Sequence, residues 1–108
     1  MYLRLKKNND FKKLYSAGKK CFSCGIMIIY SKSNCLKMGI SVSKKHGGSV
    51  QRNRLKRLVR AAFYDLSKEI NGNYNFVIIP KYDFAHTYIN IKNNIKKMLL
   101  KEGLIKND

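Results

Sequence analysis

Residues 49 to 70, SVQRNRLKRLVRAAFYDLSKEI, carry an apolar pattern and a cationic pattern that one helix lying along a layer satisfies together. At about 100° per residue, Leu55, Leu58, Val59, Ala62, Phe63, Leu66 and Ile70 fall on one arc that must pack against a sheet. The cations lie outside it in two groups. Arg52, Lys56 and Arg60, at i, i+4 and i+8, line one edge with Asn53 nearby, and Arg54 and Arg57 lie across the other side. A helix charged on both flanks can sit between two phosphate-bearing strands, or between one strand and a folded RNA. This segment therefore fixes one internal layer contact and leaves two outer surfaces for an anionic partner.

The remaining elements are read around that helix. NNDFKKLYSAGKK predicts a short helix capped by Asn8 or Asn9, favoured by Asp10 at its positive end and stopped by Gly18. Phe11, Leu14 and Tyr15 share one face of it. GIMIIYS and CLKMGISVS are strand-like and separated by KSN, which predicts a hairpin, with a short extra strand near residues 20 to 22. YNFVIIP reads as a buried strand ending at Pro80. The segment HTYINIKNNIKKMLLKEG places Ile91, Ile95, Met98 and Leu99 at helical spacing before Gly103. NGN, residues 71 to 73, is the expected stop of the central helix. The order predicted is helix, two or three strands, helix, strand, helix: an α+β sandwich over one mixed sheet. At 108 residues, with one proline and no linker, a single domain over 1–108 is expected.

Charge narrows the partner. Lys and Arg number 23 against 6 Asp and Glu, a net +17 that attracts polyanions. The hydrophobic fraction of 44% excludes a disordered basic tail. No apolar run approaches the roughly 18 residues of a membrane span, and the start MYLRLKKNND lacks an apolar signal segment, so a soluble cytoplasmic protein without membrane contact is expected. Three cysteines fit a reducing compartment. CFSC has the spacing of half a zinc site, but Cys21 and Cys24 lie three apart on an extended segment and point to opposite faces. Cys35, His46 and His86 do not complete a ligand set, so no metal site is expected.

Three features mark the central helix as a binding surface. Its first fifteen positions contain no acidic residue, so no i, i+4 pair neutralises the arginines. Four of the five cations between residues 49 and 60 are Arg, whose planar fork suits phosphates and base edges. The preceding SKKHGGS places Lys44, Lys45 and a glycine turn at a helix N-terminus, where free N–H groups bind anions. Phe11, Tyr15 and Tyr30 read by default as core, but aromatics beside such charge are also the combination that holds single-stranded nucleic acid. The acidic residues, Asp10, Asp65, Glu69, Asp83, Glu102 and Asp108, form no close pair for acid/base or metal work, and His46 has no partner in sequence. No active site is expected in the chain itself.

With SVSKKHGGSVQRNRLKRLVRAAF in view, the chain resembles the protein subunit of bacterial ribonuclease P. The family signature is close to S-K-K-x-G-x-A-V-x-R-N-R-x-K-R-x-x-R, and residues 43 to 60 depart from it at Ser49, where the family has Ala. RLKKNNDFKKLYSAGK also looks like the family's opening helix, and YNFVIIPK its fourth strand. The resemblance implies a two-layer αβββαβα sandwich with a mixed four-stranded sheet and a left-handed βαβ crossover. It implies a ribonuclease P holoenzyme, an endoribonuclease in which a separate RNA uses Mg2+ to cleave the 5′ leader from precursor tRNA. The protein would be one copy in a 1:1 ribonucleoprotein, binding both the catalytic RNA and the leader. Carried over by position, Phe11, Tyr15, Arg52, Asn53, Lys56 and Arg60 would face the leader, and Lys44, Lys45, Arg54 and Arg57 the catalytic RNA. A further leader-facing aromatic falls without a gap on Ile29, with Tyr30 adjacent. Either the strand is shifted by one residue, which would exchange their faces and bring Tyr30 to the leader, or that contact is absent. A general ribosomal or RNA-chaperone protein and a stand-alone nuclease are the rival readings.

Overall fold

The computed structural model describes residues 2–82 and 86–105. In chain order it holds β1 (Leu3–Arg4), α1 (Asn8–Ala17), β2 (Lys19–Ser23), β3 (Ile26–Lys32), β4 (Lys37–Ile40), α2 (Ser49–Ser67), β5 (Tyr74–Pro80) and α3 (Tyr88–Lys101). The five strands form one mixed sheet in the order β1-β4-β5-β3-β2. β2 and β5 each pair antiparallel with β3, whereas β4 runs parallel to both β1 and β5.

Several expectations are corrected. The sheet has five strands rather than four, because Leu3–Arg4 adds an edge strand parallel to β4. Two residues are too few to show alternation, so this strand leaves no period-2 signal in the sequence. The expected hairpin across KSN does not form. β3 and β4 are both strands, but β5 lies between them and pairs with each. The true hairpin joins β2 to β3 through Cys24 (φ 36°) and Gly25 (φ 83°). Positive φ at both central residues is the two-residue turn that suits strand twist, and Cys-Gly is a weaker signal for it than Asn-Gly.

The helix ends also differ. Lys7, not Asn8 or Asn9, is the N-cap of α1; both asparagines are already helical, with Asp10 in the first turn. Gly18 does end α1, its N–H donating to the Leu14 carbonyl at 2.8 Å. Glycine is required there by crowding, since a Cβ would lie 2.6 Å from both the Leu14 oxygen and Ile29 Cγ2. α2 stops at Ser67, before NGN, and Ile70 leaves the helix to bridge Ile105.

Helices cover both faces, so the two-layer description is also corrected. α2 and α3 pack on one face, where Phe63, Leu66, Ile91, Ile95 and Leu99 meet Ile28, Tyr30, Met38, Phe76 and Ile78. α1 covers part of the other face, with Leu14 over Leu5, Ile29 and Val77. The pleat sends Ile28 and Ile29, and Val77 and Ile78, to opposite cores.

Candidate nucleic-acid interface

α2 presents the two flanks expected from its projection, and the fold gives each a different floor. On the first flank a groove of about 560 Å³ is lined by Lys56, Arg60 and Tyr64 of α2, by Phe11 of α1, and by Tyr2, Arg4, Leu5, Lys6, Met38, Gly39 and Ile40 of the β1–β4 edge. The sheet edge can come this close because Gly39 has no side chain: a Cβ there would lie 2.5 Å from Phe11 Cζ. Tyr2 ties β1 to α2, its hydroxyl donating to the Arg60 carbonyl at 3.4 Å and its ring edge-on to Phe63 at 4.9 Å. Burial of that hydroxyl pushes its pKa above the ordinary tyrosine value, against the pull of Arg60 and Arg4.

Arg52 stands one turn before Lys56 on the same row and is half-buried. Its Nε is buried and has no hydrogen-bond partner among the described residues. Asn53 is exposed and Tyr15 is 42% exposed, and neither lines the groove.

Tyr30 is not brought to this surface. It lies on the face covered by α2 and α3, 8% exposed, with its hydroxyl donating to Glu102 Oε1 at 2.6 Å. Ile29 does point toward α1 but is fully buried beneath Gly18. The register therefore leaves neither alternative on the groove. Burial, and then the hydrogen bond to Glu102, push the Tyr30 hydroxyl well above its usual range. In return that bond, followed by Lys19 Nζ at 3.0 Å, holds Glu102 below the ordinary carboxylate value.

Tyr30→Phe removes that donor, and we expect a loss of about 1.5–3 kcal/mol, the usual contribution of a hydrogen bond to a charged group. The sign in pH follows from the depressed Glu102. The wild type's extra stability is present above the unfolded carboxylate value and is lost as pH falls through the lower folded one. The variant should show a shallower acid limb in denaturant titrations. Unchanged stability together with weakened RNA binding would return Tyr30 to the interface.

The second flank has its own shallow depression of about 240 Å³, lined by Arg54, Leu55, Leu58, Gln51, His46, Tyr82 and His86. Lys45 Nζ lies 5.2 Å from the Tyr82 ring centroid, a cation–π contact that leaves the charge near the surface. Lys44 and Arg57 are exposed. His46 fixes the turn that carries Lys44 and Lys45: Nδ1 accepts from the Ser43 N–H at 3.0 Å, and Nε2 donates to the Pro80 carbonyl at 2.7 Å. In sequence this histidine has no evident partner; in the fold it bonds to Ser43 three residues before it and to a backbone carbonyl 34 residues away. Gly48 then caps α2, and no side-chain cap bond to its first N–H groups is made among the described residues.

Among the described residues no carboxylate lines either depression. Asp65 accepts from the Tyr88 hydroxyl and Glu102 from Tyr30, while Asp83 and Asp108 lie outside the described residues. A magnesium ion asks for oxygen ligands, and the charged lining of the groove is instead Arg4, Lys6, Lys56 and Arg60. These side chains suit phosphates and do not suit the metal. Cys21 is buried and its thiol is pushed up to about 11, chiefly by that burial, while Cys24 is exposed at the hairpin turn. Among the described residues no helix is long and apolar enough to cross a membrane.

Sequence reasoning missed Tyr2, Arg4, Lys6 and Tyr64. Tyr64 was visible in principle, four residues after Arg60 on the same row, but an aromatic near a core stripe reads as core.

The chain matches the Ribonuclease P family model over residues 2–102. It is 40% identical to the ribonuclease P protein component of Clostridium kluyveri, covering 95% of this chain and 96% of that protein. Against the Listeria monocytogenes component the identity is 37%, covering 90% and 82%. Among solved structures, the Staphylococcus aureus RNase P protein superposes with a TM-score of 0.82 at 27% identity, covering 98% of this chain and all of that one. A mutant of the Staphylococcus aureus protein, described as having defective mRNA degradation activity, gives 0.80 at 28% identity over 94% and 89% of the two chains. The Thermotoga maritima protein shares the fold at a TM-score of 0.81 and 23% identity, covering 96% and 98%. With a family model spanning nearly its whole length and relatives this similar, the chain belongs to the ribonuclease P protein family.

Proposed function

We propose that this chain is the RNA-binding subunit of a ribonuclease P holoenzyme, assisting removal of the 5′ leader from precursor tRNA while a separate RNA performs the cleavage. The observation that carries this is one groove holding Phe11, Lys56 and Arg60 together, with Arg54 and Lys45 on the opposite flank of the same helix. The first flank takes the single-stranded leader, with Arg52 extending its cationic row and Tyr15 and Asn53 at the surface beyond. The second flank, with Lys44 and Arg57, takes the catalytic RNA. On this reading magnesium would be held by the RNA, where it would supply Lewis-acid charge, and the protein's residues bind, orient and screen phosphates. The parallel β4–α2–β5 unit is, by the same family reading, the left-handed crossover.

The mRNA degradation named for the Staphylococcus aureus mutant raises a second reading, cleavage by the protein alone. In this chain Asp65 and Glu102 are engaged with Tyr88 and Tyr30, and the groove is cationic. The two readings separate in one reconstitution. Protein plus cognate catalytic RNA should process precursor tRNA at magnesium levels where the RNA alone is slow, and should bind precursor more tightly than mature tRNA. Protein alone should leave both RNAs intact. Equal affinity for precursor and mature tRNA would support a general RNA binder, and RNA-free cleavage by nuclease-free protein would support the second reading.

A further inference from the structure

We propose that Tyr64 is an additional leader-binding residue, stacking on a base of the single-stranded RNA whose phosphates lie along Lys56 and Arg60. This rests on the groove being the leader site. Tyr64 continues the row of Arg52, Lys56 and Arg60 by one more helical turn, and its ring lines the groove with them. The core does not require it: Ala62, Phe63 and Leu66 beside it are fully buried, whereas Tyr64 is 42% exposed. A half-exposed aromatic at the end of a cationic row has the composition of a base-stacking platform. Lys68 Nζ, 5.6 Å from the ring centroid, adds a cation at the same end.

The opposite wall points the same way. Arg4 and Lys6 stand across the groove from Lys56 and Arg60, so a strand entering there meets cations on both sides. Tyr2 holds that wall in place through Arg60 and Phe63, two neighbours of Tyr64 on α2. A chain with spaced negative charges and planar rings fits this channel.

The test uses the holoenzyme and precursor tRNAs whose leaders are trimmed one nucleotide at a time, with mature tRNA as reference. Tyr64→Ala should weaken binding about ten-fold for long leaders, the usual size of one lost stack, with no change for mature tRNA. The loss should vanish at one leader length, marking the nucleotide that reaches the ring. Tyr64→Phe, which keeps the ring and drops the hydroxyl, should restore long-leader binding. Melting of Tyr64→Ala is measured alongside. Equal losses for precursor and mature tRNA, or no loss at any length, overturns the proposal. Arg60→Ala in the same series keeps two failures apart. If it selectively weakens precursor binding while Tyr64→Ala does nothing, Tyr64 alone is wrong. If neither variant changes the dependence on the leader, the groove is not the leader site, and both ideas fall.

Discussion

Alanine at Phe63 should cost about 3–5 kcal/mol of stability, the usual effect of truncating a buried aromatic. Phe63 is fully buried, edge-on to Phe76 of β5 at 5.4 Å and to Tyr2 at 4.9 Å. It therefore joins α2 to the middle of the sheet and to the N-terminal strand at once. Against a total of about 5–15 kcal/mol for a small domain, such a loss is a large fraction. The measurement is urea unfolding of the free protein, followed by leader discrimination where the variant remains folded. Discrimination should fall there too, because Tyr2 loses the ring that holds one wall of the groove. A change below about 1 kcal/mol would mean that Phe63 is not packed as described.

Removing the three cations of the first flank, Arg52, Lys56 and Arg60, should lower the log–log salt slope of precursor binding by about 2, as expected for three phosphate contacts to a single strand. Mature tRNA, lacking the leader, should keep its slope. Alanines at Arg54 and Arg57 should give the reciprocal result, flattening the salt dependence of catalytic-RNA binding and leaving precursor discrimination in place. The crossed design matters more than either variant. A non-specific basic surface would lose slope for every RNA in both variants. Precursor and mature tRNA responding alike to the first-flank variant would reject the division of labour between the flanks.

Much of this was legible in α2, where period and chemistry agree. Leu55, Val59, Ala62, Phe63 and Leu66 are buried, Lys56 and Arg60 line one depression, and Arg54 lines the other. The sheet was less legible. Strand identity shows in local composition, but pairing is set by partners far apart in sequence. β3 and β4 look like a hairpin until Tyr74–Pro80 is placed between them. Tyr30 shows the same limit at single-residue scale. Nothing nearby in sequence tells that a strand tyrosine turns inward to meet Glu102, 72 residues on. The groove's second wall was missed for a related reason. Tyr2, Arg4 and Lys6 acquire meaning only when a two-residue strand is laid beside β4.

The central position of β5 also bears on how the chain reaches its native state. β5 contributes the hydrogen-bonded neighbour of both β3 and β4, so a chain ending before Tyr74 holds two halves of a sheet with no strand to join them. In such an intermediate the β2–β3 hairpin can form locally, whereas the parallel β4–β5 pairing must wait for α2 to be laid down first. Pairings of this range form slowly, and until they close the open strand edges invite association with other chains. During synthesis the protein therefore passes most of its length with its strand edges open, and the last step of sheet assembly is the insertion of its middle strand.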